Sequence, residues 1–221
     1  MKYYPINLNI KDKKCLVAGG GFVALRKVIR LVECEASIRI ISPEIISQLV
    51  EIAKKETIEL LYRKIRSDDL HDAFMIFAAT NDTDVNKSIS QWALNRNILC
   101  NNADQPDESD FTLPSIIEQG DLHITISTNG KSPALSKYLR KRLQNEFGQE
   151  YATLLGMMGK LRKILTDEIS CQTDRQRIYH SLLDSSILHS LKMNDFITAS
   201  NTCEELTGHC LDELLSTQDC S

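Results

Sequence analysis

A chain of 221 residues with 42% hydrophobic and 25% charged residues, nine glycines and five prolines has room for a medium domain plus a smaller appendage. That composition excludes a disordered or fibrous protein. A net charge of -4 and a pI near 5.8 exclude a general nucleic-acid binder, so any basic patch must be local. No basic stretch leads into an apolar run at the N-terminus and no window approaches a membrane span, so a cytoplasmic protein without membrane attachment is expected.

Lys14-Cys15-Leu16-Val17-Ala18 is short, apolar and stopped by Gly19-Gly20-Gly21, the pattern of a buried parallel strand entering a tight turn. From Val23 to Cys34, apolar Val23, Val28, Ile29, Leu31 and Val32 recur at helical period among Arg26, Lys27, Arg30 and Glu33. Ser37 to Ser42 reads as the second strand, closed by Pro43. The order then repeats. A helix is expected around Glu44 to Lys55, a strand at Ile58 to Tyr62, a short helix at Ser67 to His71 and an apolar strand over Phe74 to Ala79. A helix from Asp84 to Asn95 and a strand from Ile98 to Asn101 follow. Strands alternating with helices predict an α/β fold with a parallel sheet covered on both faces, its ligands beyond the carboxyl ends of the strands.

Leu122 to Ile126 reads as a further strand, followed by the loop Thr128-Asn129-Gly130-Lys131-Ser132 and a helix opened by Pro133 with Ser132 as its cap. After Gln149 the pattern is helical, with an apolar stripe of Leu154, Leu155, Met158, Leu161 and Leu165. The tail from Ser200 to Ser221 holds enough leucine for one or two amphipathic turns with frayed ends.

Seven cysteines without a C-x-x-C pair, in a chain with no export signal, predict free thiols. Cys15 and Cys100, in or beside apolar runs, should act as small buried hydrophobes. Cys203, His209 and Cys210 match no zinc spacing and lack a fourth ligand, so no metal site is expected.

Gly19-Gly20-Gly21-Phe22-Val23-Ala24 fits G-x-G-x-x-[GA] between a strand and a helix, the context that gives this string meaning as a dinucleotide fingerprint. Gly19 permits the tight turn, Gly21 admits the pyrophosphate to the backbone and Ala24 allows close helix packing. The helix N-terminus, with Phe22 and Val23 in its first turn, offers amides and a positive dipole end. An acid at the end of the second strand, the usual ribose ligand, is missing. Ser42-Pro43-Glu44 stands there, leaving Ser42, the backbone at Pro43, or Glu44 for the ribose. No arginine lies within Ile41 to Leu49 to meet a 2′-phosphate, which favours NAD over NADP.

Further strings lie in order and at matching spacing: Ala79-Thr80-Asn81-Asp82-x-x-Val85-Asn86, Asn102-x-Asp104-x-Pro106, Asp110-Phe111-x-x-Pro114-Ser115, and Ser127-Thr128-x-Gly130-x-Ser132-Pro133-Ala134. With the glycine turn and Arg26-Lys27, the chain resembles the precorrin-2 dehydrogenase family of sirohaem synthesis, the sirohaem synthase N-terminal type, over roughly residues 1 to 195. The resemblance implies a Rossmann-type NAD-binding domain over residues 1–113, a dimerisation region over 114–148 that exchanges elements with a second chain, and a helical domain over 149–221. The product expected is a homodimer. The resemblance further implies oxidation of precorrin-2 to sirohydrochlorin, for sirohaem or cobalamin synthesis. Bifunctional members also insert iron, acting as sirohydrochlorin ferrochelatase, and no residue here decides that second activity. In the fused enzymes a methyltransferase domain follows, for which this length leaves no room.

The oxidation removes a hydride and a proton, so a base is needed near the nicotinamide. Asp104, just past a strand end, is the candidate, and it matches the acidic residue on which the family's chemistry depends; its alternative is a turn former ahead of Pro106. Asp107, Glu108 and Asp110 are expected to be solvated turn residues. Thr80 and Asn81 are placed for the nicotinamide half of the cofactor. Precorrin-2 is a polycarboxylate, so Thr128, Lys131, Ser132, Lys137, Arg140 and Lys141 are the candidate substrate contacts, with solvated helix surface as the alternative. His123, a second basic candidate, is expected to pack within its strand. The rival readings are an NAD-linked oxidoreductase of another small substrate and a dinucleotide-sensing regulatory module in which Asp104 has no chemical task.

Overall fold

The computed structural model describes residues 3–215 and divides the chain into two units, the first running through Leu113 and the second starting at Pro114. Five short strands build the first unit: β1 (Lys14–Ala18), β2 (Ser37–Ile41), β3 (Ile58–Leu61), β4 (Met75–Ala78) and β5 (Leu99–Asn102). They pair in parallel in the order β3-β2-β1-β4-β5. Alternate residues point to opposite faces. Cys15, Val17, Ile38, Ile40, Met75 and Phe77 meet helices α1 (Phe22–Glu33) and α2 (Ser47–Lys55), whereas Leu16, Ala18, Ile41, Ile76, Ala78 and Cys100 meet α3 (Thr83–Leu94) and a 3-10 turn at Ser67–Leu70. Covering on both faces explains why these strands read as nearly continuous apolar runs. The chain leaves β1 in one direction along the sheet and returns to β4 on the other side, which sets a switch point between the carboxyl ends of β1 and β4.

Two sequence expectations shift here. The chain bends at Pro43 and Glu44 and is extended at Ile46, and α2 starts three residues later than Glu44 because the Ile46 N–H donates to Gly20 O at 3.0 Å and ties this segment to the glycine turn. Asp110 is exposed, as expected, yet it is also engaged: it accepts the Cys100 N–H at 2.8 Å while its own N–H donates to Cys100 O at 2.9 Å. The chain after β5 thus folds back along that strand and satisfies part of its open edge.

The second unit starts with an antiparallel pair, β6 (Ser115–Gln119) and β7 (Leu122–Ile126), joined at Gly120. Strand β6 escapes the sequence reading because the adjacent Ile116 and Ile117 break the alternation of period two. His123, expected to pack, is exposed on β7 opposite Glu118. Helix α4 (Pro133–Glu146) follows, its Leu135 N–H capped by the Ser132 hydroxyl at 3.1 Å.

The rest is helical: α5 (Gln149–Glu168), α6 (Gln172–Asp184), α7 (Ile187–Lys192), α8 (Phe196–Thr207) and α9 (Leu211–Leu215). The stripe of α5 that enters the core is Leu154, Met157, Leu161 and Leu165; Leu155 turns outward, and Met158 is half-buried. The last helices belong to the same core through Cys203, Leu211 and Leu214, so the described part of the tail is packed rather than frayed. Among the described residues no cysteine is in a disulfide: Cys15, Cys100 and Cys203 are buried thiols, Cys34 and Cys171 are exposed and Cys210 half-buried, and Cys220 lies outside the described residues. Among the described residues no helix is long and apolar enough to cross a membrane, and no His, Cys, Asp and Glu side chains cluster to hold a metal.

Candidate functional site

At the carboxyl end of the sheet the β1–α1 turn is wedged between two other turns. A Cβ on Gly19 would stand 2.2 Å from Ala79 O and 3.1 Å from Thr80 N, and the residue has φ +120°, so both the close approach to the end of β4 and the backbone conformation require glycine. A Cβ on Gly20 would lie 2.0 Å from Glu44 O and 2.8 Å from Ile45 Cα. Gly20 is therefore the middle of a backbone sandwich, a task that the fingerprint pattern does not assign to it. Gly21 differs: nothing lies within 4 Å of the position a Cβ would take.

That open space lies at the N-terminus of α1, where Gly21 is the cap and no side chain satisfies the first-turn amides. Phe22 and Val23 are exposed there, while Ala24 is fully buried against the sheet. Free amides, a positive dipole end and no Cβ in the approach fit a dinucleotide pyrophosphate. Ser42 is buried at the end of β2, and Pro43 and Glu44 are exposed beside Gly20, with the Glu44 carbonyl turned to the glycine turn. Deeper on α1, burial pulls the Lys27 ammonium below the usual lysine range, and it sits 5.6 Å from the centre of the Phe77 ring.

The ends of β4 and β5 are joined by one side chain to which the sequence reading gave no task, although it closes the string Ala79-Thr80-Asn81-Asp82-x-x-Val85-Asn86. Asn86, on α3 and fully buried, accepts from Thr80 N at 3.1 Å and from the Thr80 hydroxyl at 2.8 Å, and donates to Thr80 O at 3.0 Å and to Asp104 Oδ2. Its place at the end of that matched string was the available signal; the complete burial that gives it this task is not readable from one sequence. Asn102, likewise buried, accepts from the Asp104 N–H at 3.1 Å and the Gln105 N–H at 3.2 Å. Asp104 itself is exposed. Thr80, Asn86 and Asp104 thus form a line of hydrogen bonds that starts beside the glycine turn and ends on an exposed carboxylate. The Thr80 hydroxyl is spent within this network and on Asp82 O, and Asn81 is exposed.

In the second unit, the Thr128 hydroxyl donates to Ser132 O at 3.1 Å and accepts from Ser132 N at 3.2 Å, closing the loop before α4. Both hydroxyls therefore build the turn. Lys131, Lys137 and Lys141 are exposed, and Arg140, half-buried, donates to Gln144 Oε1 at 3.0 Å. Ser132 and Lys131 open the helix whose next turns carry the other cations.

The family model described as putative NAD(P)-binding matches residues 6–115, and that described as sirohaem biosynthesis protein central matches residues 119–146. The siroheme synthase of Thioalkalivibrio sulfidiphilus is 31% identical over 212 residues, covering 96% of this chain and 43% of that protein. That of Nitrosococcus oceani is 34% identical over 187 residues, covering 85% and 40%. The chain spans less than half the length of these curated relatives. Among solved structures, SirC, a precorrin-2 dehydrogenase, shares the fold with a TM-score of 0.79 at 23% identity, covering 94% of this chain and 100% of that one.

Proposed function

We propose that this chain, which is similar to siroheme synthases over less than half of their length and carries the putative NAD(P)-binding and sirohaem central family matches, oxidises precorrin-2 to sirohydrochlorin with NAD. The observation that carries the reading is the line of contacts that sets the Asp104 carboxylate beside the end of β4, one turn away from the phosphate-binding glycines. Bound NAD supplies the hydride acceptor. The chain supplies the rest. The α1 amides with Gly19, Gly20, Gly21, Phe22 and Val23 hold the pyrophosphate, Ser42, Pro43 and Glu44 face the adenosine ribose, and Thr80 and Asn81 flank the nicotinamide half. Asp104 takes the proton that leaves precorrin-2 as its hydride departs, so that precorrin-2 and NAD⁺ give sirohydrochlorin, NADH and a proton.

Lys131, Lys137, Arg140 and Lys141, with Thr128 and Ser132 at the mouth of α4, meet the substrate's carboxylates, helped by the helix N-terminus. The enzyme works in the cytoplasm as a homodimer with three regions, residues 1–113, 114–148 and 149–221. The β6–β7 pair supports the dimer reading, because a two-stranded sheet leaves two edges of unpaired peptide groups.

The test is an anaerobic assay of precorrin-2 with NAD, followed by sirohydrochlorin absorbance. The parent chain is expected to form product and Asp104→Ala to slow it about 10²–10⁴-fold. A parent without turnover refutes the activity; a fully active Asp104→Ala refutes the base assignment alone. Ferrous or cobalt ions added to the same reaction report any metal insertion into the product.

A further inference from the structure

Asn86 stands between the cofactor-binding turn and the candidate base. Its orientation is fixed: the Thr80 N–H can only donate and the Thr80 carbonyl can only accept, so the amide oxygen must face the first and the amide nitrogen the second. The second amide hydrogen is then left for Asp104 Oδ2. Because Asp104 is exposed at the start of a loop, its side chain would otherwise spread over several rotamers. Its backbone N–H is held by Asn102, and Asn86 holds the carboxylate, so the residue is fixed at both ends.

We infer that Asn86 is the positioning residue for Asp104, holding one carboxylate oxygen by donation alone and leaving the other to meet the substrate proton. The inference rests on the reading of Asp104 as the base. Asn86 keeps its own hydrogens throughout, and the proton from substrate ends on Asp104. The other charged groups on these elements have other partners or are exposed. Asp82 caps Asp84 N and Val85 N, Asp110 holds Cys100 N, and Glu108 faces Asn102 at 3.5 Å, while Asp84, Lys87 and Asp107 are exposed.

The test replaces the donor by an acceptor of the same shape. Asn86→Asp retains an oxygen for the Thr80 N–H and sets a second carboxyl against Asp104, so the two must share a proton. The expected result is an acid limb of the kcat–pH profile moved up by about one pH unit or more, while the Kd of NAD stays within about twofold of the parent. A profile that superimposes on the parent's overturns the inference. Should that variant not fold, the side-chain amide resonances of Asn86 in the parent give the same answer. They are expected to move with the acid limb of catalysis and to lose that pH dependence in Asp104→Asn, and indifference to pH in the parent overturns the inference. A fully active Asp104→Asn removes the base and this inference together. An Asp104→Asn slowed about 100-fold, with an Asn86 amide blind to pH, removes only the inference.

Discussion

Alanine at Gly21 and at Gly20 separates cofactor binding from folding within a single turn. At Gly21, φ is -96°, a region alanine adopts, and the new methyl meets no atom within 4 Å. Stability should change by less than about 1 kcal/mol, since the stiffer unfolded chain offsets the poorer cap. The methyl occupies the approach to the α1 amides, so the Kd for NAD should rise about tenfold or more, roughly 1.4 kcal/mol. At Gly20 the methyl would lie 2.0 Å from Glu44 O, against 3.4 Å for ordinary contact, and both groups belong to backbone that cannot swing aside. The two segments must part by more than an ångström, which strains or breaks the Ile46 N–H to Gly20 O bond. Overpacking and the lost bond together cost about 2–4 kcal/mol, or a fall of roughly 10–20 °C in the melting temperature. Calorimetric melts and NAD titrations of both variants decide the matter. A Gly21→Ala protein that binds NAD like the parent, or melts as low as Gly20→Ala, refutes the assignment of the open space to phosphate.

Replacing Lys137 and Arg140 together by glutamine should raise the KM for precorrin-2 about tenfold and leave that for NAD within about twofold, read from steady-state rates; equal shifts would deny α4 its substrate role. Burial pushes the Cys15 and Cys100 thiols up to about 11, so iodoacetamide at pH 8 should label Cys34 and Cys171 in the folded chain and spare these two, as peptide mass mapping would reveal. The same raised values mean that the folded chain keeps protons the unfolded chain releases from about pH 9. Their contribution is therefore complete below pH 9 and lost toward pH 11, and Cys15→Ala should flatten that alkaline fall in melting temperature. Hydrogen bonds from Arg63 at 2.6 and 2.8 Å hold the Asp69 carboxyl below the usual carboxylate range, aided by the Arg66 N–H at 2.7 Å. This stabilisation is present above about pH 4 and lost as pH falls through the lowered value. Asp69→Asn should cost about 1–2 kcal/mol at pH 7 and progressively less as the pH falls below about 4, measured by urea melts.

The sequence by itself determined the order of strands and helices in the first unit, because strands buried on both faces must be apolar and each Gly or Pro stop is a local signal. It also marked the glycine turn, since G-x-G-x-x-[GA] between strand and helix is a contiguous string, and it offered Asp104 as a candidate base by its place after a strand and its match to the family's acidic residue. Tertiary structure decided what depends on distant segments meeting. Gly20 must be glycine because Glu44 lies against it, and α2 starts late because Ile46 bonds to Gly20. Asp110 is held by Cys100, and Cys203, Leu211 and Leu214 close a core that begins on α5. The joining of Asp104 to Thr80 through a buried amide 18 residues away is of the same kind. Local periodicity reports which face a residue turns, whereas these contacts are set by which loops the sheet brings to one end, and no pattern within a single segment encodes that.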